Sequence, residues 1–170
     1  MAMDSGDIEA LRGSHDWRPK TIVVGYNGTS SAEWALYRAI QVARAFSAQV
    51  VVADVAVPTE LQETPGAFGY LPYYGDMSEG GVWTDEVLWQ QHRSRIETLF
   101  APGDIRHEFS GLIGEPVSEI LDVAEERNAD LIVVGTREPG FLARVLGASV
   151  SQDLARHAHC DVLVVHAPEG

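Results

Sequence analysis

The chain is short of several things that common function classes require. Cysteine occurs once in 170 residues, as Cys160. A disulfide framework is therefore excluded, and a reducing compartment is the natural setting. Lysine also occurs once, as Lys20, and the arginines are scattered among 25 acidic residues, giving a net charge of −13. Such a field repels nucleic acid and anionic membranes, because phosphate contacts need clustered Lys and Arg. No apolar run approaches bilayer length, and the opening "MAMDSGDIEALRGSHDW" is acidic with no apolar signal region. These absences lead us to expect a cytoplasmic protein with no nucleic-acid or membrane partner. Familiar chemical signatures are missing too. There is no G-x-x-x-x-G-K-[ST], no G-x-G-x-x-G after a strand, no G-x-S-x-G elbow, no Ser-Gly-Gly phosphate loop and no His-x-Gly-His tetrad.

What is present is an alternation of apolar runs. "TIVVGY" (21–26), "QVVVADVAV" (49–57) and "LIVVG" (131–135) are continuous and β-branched, the pattern of strands buried on both faces of a parallel sheet. "DIRHEFSG" alternates Ile105, His107 and Phe109 inward, which suits a strand nearer the edge, and "DVLVVH" is the last strand. Between them, Ala32, Leu36, Ala39, Ile40 and Ala43 recur at helical spacing. So do Val117, Ile120, Leu121 and Ala124, with Pro116 in the first turn. A further helix is expected from about Thr84 to Phe100, with Val87, Leu88, Ile96 and Leu99 inward, and another over about Ser149 to His157. The order β-α-β-(insert)α-β-α-β-α-β predicts an α/β fold, a five-stranded parallel open sheet with helices on both faces. Residues 1–19 read as a flexible extension. Residues 58–81, rich in Pro, Gly and Tyr, read as an insertion in a domain spanning 20–168.

In open sheets of this kind ligands bind beyond the carboxyl ends of the strands, where the strand order reverses. The loops after the first and fourth strands, "YNGTSS" and "GTREPG", flank that crevice if those strands are neighbours. "HAHC" (157–160) does not read as a metal site. Two histidines two residues apart do not share a helix face, and histidines at a helix C-terminus favour the dipole.

The segments "GEPVSEILDVAEERNADLIVVGTREPG…ASVSQDLARHAHCDVLVV" and "TIVVGYNGTSSAEWALYRAIQVARAFSAQVVVADV" resemble the universal stress protein family over roughly two thirds of the chain. The resemblance implies a Rossmann-like fold of the adenine nucleotide alpha hydrolase type, a homodimer, and a place in stress response. It also implies a site for ATP or another adenine nucleotide, with Mg²⁺ only alongside the nucleotide. Members that bind ATP carry G-x-x-G-x₉-G-[ST] after the fourth strand. Glycines there let the backbone approach the phosphates, and the following helix start offers N–H groups and a hydroxyl.

Laid on this chain, the first Gly is Gly135 and the final hydroxyl is Ser149, followed by Val150. Glu138 occupies the second glycine position and Ala148 the third, while Gly140 and Gly147 stand two residues and one residue away. Ala148 costs about 1 kcal/mol if a left-handed conformation is required. Glu138 repels a triphosphate unless it turns away or shares a metal ion. Arg137 and Arg144 lie in the same loop, either as phosphate contacts or as solvent-exposed loop arginines. At the adenosine end the family's Asp after the first strand is matched by Asn27, beside Gly25 and Tyr26. Its apolar residue at the end of the second strand is matched by Val55.

Three functions follow from the resemblance: a regulatory module holding an adenine nucleotide, a stress protein without ATP that acts through dimerisation and protein partners, and a slow ATPase. The third has the least support, because no positioned base, nucleophile or metal triad can be named. Replacing Glu138 and Ala148 together by glycine is expected to strengthen ATP binding, read by calorimetry. Unchanged affinity would make the loop a scaffold.

Overall fold

Strands whose side chains meet packed helices on both faces have no solvent side to alternate with, so their sequences run continuously apolar. β1 (Thr21–Tyr26) and β2 (Gln49–Ala56) are of this kind, and in the computed structural model Ile22, Val23, Val24, Val50, Val51 and Val52 are all buried. The structure describes residues 17–57, 85–101, 103–136 and 150–168. The expected insertion and most of the N-terminal extension lie outside these. Of the extension's last residues, Trp17 packs edge-on against Phe46 with ring centroids 5.5 Å apart.

The elements run β1, α1 (Ser30–Phe46), β2, α2 (Asp85–Leu99), β3 (His107–Ile113), α3 (Pro116–Glu126), β4 (Leu131–Thr136), α4 (Val150–His157) and β5 (Asp161–His166). Their sheet has the order β3-β2-β1-β4-β5, with every neighbouring pair parallel. The expected five-stranded parallel sheet is therefore present, and β1 and β4 are neighbours. Side chains of α1 and α2 pack on one face with Ile22, Val24, Val50, Val52 and Val133. Those of α3 and α4 pack on the other with Val23, Val51, Ala53, Ile132 and Val134.

Helix α1 begins at Thr29, whose side chain accepts the Ala32 N–H, and ends at Ser47 in the left-handed region. Its buried face is Ala32, Ala35, Leu36, Ala39, Ile40 and Ala43. Four alanines on that face let the helix axis come close to the strands. The closest approach is at Gly135 of β4, where a Cβ would stand 2.2 Å from the Ser31 carbonyl oxygen and 2.9 Å from the Ala32 nitrogen. Only glycine leaves room there for the helix backbone. Helix α3 starts with Pro116, and the Glu115 carboxylate accepts the N–H groups of Val117 and Ser118.

Two expectations are corrected. Val87 is 38% exposed and does not face the sheet. Besides Ile96, α2 turns Trp89 and His92 toward it, as the contacts at Gly111 and Gly28 establish. The stripe of α2 thus includes 89, 92 and 96, with Leu99 packed against the same core as expected and buried Phe100 just beyond the helix. Ile105 is buried but precedes β3, which starts at His107. Strand β3 is an edge strand, as expected, and β5 is the other edge.

Gly135→Ala is expected to cost about 1–3 kcal/mol, the range for overpacking against atoms that cannot step aside. Urea unfolding measures it, and an unchanged midpoint would contradict the close approach of α1.

Candidate functional site

The strand order reverses beside β1, with β2 and β3 on one side and β4 and β5 on the other. The carboxyl ends of β1 and β4 therefore open the crevice where ligands enter such sheets. The loop from β1 to α1 is built from its own polar groups. Asn27 Oδ1 accepts from the Thr29 N–H at 3.3 Å and from the Thr29 hydroxyl at 2.7 Å. Gly28 between them has φ +74°, which favours glycine. Asn27 is exposed, and its amide nitrogen is the part of the side chain not used in that turn.

The other sequence-chosen residues fall into two groups. Gly25 lies against α3, where a Cβ would come 2.8 Å from Ile120 Cδ1. Val55 is 7% exposed, with its side chain in the core under α3 and α4, and Val150 at the start of α4 packs against the same cluster. Gly135 meets α1 as described, a packing role that sequence reasoning did not separate from a ligand role. Arg137, Gly140, Gly147 and Ser149, with Glu138, Arg144 and Ala148, lie outside the described residues. Tyr26, Asn27 and Gly135 are thus brought to one edge of the sheet, whereas Val55 and Val150 belong chiefly to its far face.

A group that the sequence reading missed stands beside that loop. Tyr26, Asp54 and Gly111 are in register across β1, β2 and β3, forming a row at the carboxyl end. Asp54 is 1% exposed, and its Oδ2 lies 2.7 Å from His92 Nδ1. An ionised carboxylate only accepts, so Nδ1 carries the proton in this pair while Asp54 is charged. The Tyr26 ring meets the His92 ring edge-on at 5.3 Å. Trp89 lies over Gly111, where a Cβ would stand 2.9 Å from the indole, and its buried Nε1 has no hydrogen-bond partner among the described residues.

Burial pushes the Asp54 carboxyl above its ordinary range, opposed by the His92 hydrogen bond and charge. Burial, with the nearby Glu33 and Asp54 carboxylates, also raises the Tyr26 hydroxyl, against the effect of Arg95. The sequence held two signals of this cluster. One is an acid inside the apolar run "VVVADVAV", and the other is a histidine four residues before the inward Ile96.

A carboxylate–imidazole pair also supplies two of the three members of a hydrolytic triad. Here the opposite ring edge, Nε2, faces Gly28, with a Cβ there falling only 2.3 Å away. Among the described residues no hydroxyl is placed at Nε2 as a nucleophile. His157 at the end of α4 donates from Nδ1 to the Asp153 carbonyl at 2.8 Å, a local helix contact. No group of three metal-ligating side chains occurs among the described residues, and none of their helices is long and apolar enough to cross a membrane.

The fold defines a class, the open parallel α/β domains whose strand order reverses between β1 and β4. Comparison with known proteins narrows it. The universal stress protein family model matches residues 19–166, and the chain belongs to that family. A universal stress protein of Methanocaldococcus jannaschii is 31% identical over 158 residues, covering 88% of this chain and 84% of the relative. A putative universal stress protein of Staphylococcus aureus is 33% identical over 153 residues, covering 88% and 86%. Among solved structures, a universal stress protein in complex with cAMP is 25% identical with a TM-score of 0.62, covering 89% of this chain and 99% of that one. An Arabidopsis thaliana member of the family with AMP bound shares the fold, with a TM-score of 0.62 at 17% identity over 88% of this chain and 93% of that one.

Asp54 gives this site a pH signature. Its folded-state value is raised above the ordinary 3.8, so its contribution to stability is complete below that value and is lost as pH rises through the folded-state value. Asp54→Asn removes the ionisation. The stability of the variant relative to the parent is therefore expected to rise as pH increases above the ordinary carboxylate range, read as urea midpoints. A pH-independent difference would contradict the raised value.

Proposed function

We propose that this chain is a stress-response regulatory domain that binds ATP or another adenine nucleotide across the loops after β1 and β4. The observation that carries the reading is the adjacency of β1 and β4, which brings Asn27 and the chain leaving Thr136 to one edge of the sheet. Family membership supports it, as does the relative crystallised with cAMP. The described residues fit the adenosine end in their chemistry. Asn27 keeps an amide donor for a ribose or base oxygen, beside Tyr26 at the end of β1, with Gly25 and Val55, whose packing is toward α3, bordering it through their backbone in this reading. Its lack of charge distinguishes it from the carboxylate at the matching position in family members that bind ATP. In a chain of net charge −13, phosphates have to be held mainly by backbone N–H groups, with Arg137 the nearest cation in sequence to the end of β4. Gly140, Gly147, Ser149 and Val150 complete the phosphate end in this reading, and Mg²⁺ enters only with the nucleotide.

Assembly as a homodimer fits the same reading. β5 is an edge strand, and Leu163 on it is 38% exposed, an apolar group on an unpaired edge. A second copy pairing there would cover it. The reading places the protein in the cytoplasm, in keeping with its single cysteine.

Thermal-shift titration with ATP, ADP, AMP and cAMP, with and without Mg²⁺, tests the proposal. At least one of them is expected to raise the melting temperature at about 1 mM, because a ligand that binds only the folded state stabilises it by mass action. No shift with any of the four would overturn it and leave surface-mediated partner binding as the function.

A further inference from the structure

The loop between β1 and α1 is held from outside as well as by its own turn, and α2 contacts it at three successive points. At the end of β1, Tyr26 touches the His92 ring. At the bend, Gly28 abuts His92 Nε2, with the ring atoms 2.3–3.2 Å from where a Cβ would be. At the start of α1, Glu33 is gripped by Arg95 through Nε at 2.7 Å and a second guanidinium nitrogen at 3.2 Å. His92 is itself fixed by Asp54 at 2.7 Å and is 13% exposed at its side chain. A ring clamped at Nδ1 by a strand carboxylate, with its other edge pressed on a left-handed glycine, is a rigid strut between β2 and the loop.

We propose that His92 is a positioning residue of the nucleotide site, acting through Gly28 to set the bend that presents Asn27. The link to the nucleotide rests on the function proposed above; the link to the loop does not. Filling the space over Gly28 prevents the loop from relaxing inward. Asp54 fixes the ring so that this support does not rotate away. The grip of Arg95 on Glu33 keeps α1's first turn from moving in the opposite direction, so the three residues Asn27, Gly28 and Thr29 have little room to rearrange. A ligand contacting Asn27 then meets a prearranged amide rather than paying to order one.

Three substitutions separate this role from general stability. His92→Ala removes both contacts, and because it leaves a buried carboxylate unpartnered it is expected to lower overall stability. His92→Asn puts an amide donor near the Nδ1 position, keeping the tie to Asp54, but reaches nothing at Nε2. His92→Gln extends an amide toward the Nε2 position. For His92→Asn the expected result is a melting temperature close to the parent's, exchange of the Gly28 and Thr29 amides faster by about tenfold, and ATP or cAMP affinity weaker by about fivefold. His92→Gln is expected to recover a large part of the amide protection. Unchanged exchange at Gly28 and Thr29 in His92→Asn overturns the proposal. If the parent binds none of the nucleotides, the nucleotide reading fails on its own, and the amide exchange still decides whether His92 positions the loop.

Discussion

A carboxylate buried at the end of a central strand has to find a partner, and this requirement organises the carboxyl end of the sheet. Asp54 cannot reach water, since only 1% of it is exposed. Leaving it unpaired would cost several kcal/mol or drive it to its neutral form. His92 satisfies it from α2, and the rest of the arrangement follows from that contact. Once His92 is drawn down to β2, Trp89 one turn earlier settles over Gly111, and Arg95 one turn later faces Glu33 across to α1. The remainder of the helix is anchored in the ordinary way, through buried Ile96 and by Phe100 just after it. The His92 turn of α2 is therefore held by a polar, geometrically exacting contact, and the turn that follows chiefly by apolar burial.

That division has a consequence for the site. Apolar packing fixes where a helix lies but tolerates small slides, because dispersion contacts are individually weak and exchangeable. A 2.7 Å hydrogen bond to a buried carboxylate tolerates far less. The loop that follows β1 borrows this precision, since its one left-handed residue rests on the same imidazole. The phosphate end of the proposed ligand makes a different demand. In so acidic a chain, charge attraction from side chains is scarce, and backbone dipoles have to supply most of it.

Much of the fold was legible in the residues. Parallel strands buried on both faces leave a continuous β-branched run, so β1, β2 and β4 stood out. The alanine face of α1 announced close packing. The side of α2 that meets the sheet was harder to read. Counting only aliphatic residues finds Ile96 and Leu99 but also selects the exposed Val87, while the stripe that docks includes an indole and an imidazole. Both rings enter places made for them by glycines distant in sequence, Gly28 in the loop after β1 and Gly111 on β3, and no local pattern records that match. Gly135 shows the converse difficulty. Its position fits a phosphate-binding motif, yet the backbone of α1 alone already requires glycine there.

The sequence by itself determined the kind of fold, the order of its elements and the family. Each of these rests on short-range patterns: side-chain period, turn chemistry, and motif spacing along the chain. Tertiary structure alone decided which residues support the loop between β1 and α1. Asp54 and His92 are separated by thirty-eight positions, and Gly28 lies further still from the ring that rests on it. Their meeting depends on the strand register that aligns Tyr26, Asp54 and Gly111 and on the docking of α2 across that row. Burial then converts a lone acid and a lone histidine, ordinary residues when read one at a time, into a single rigid support.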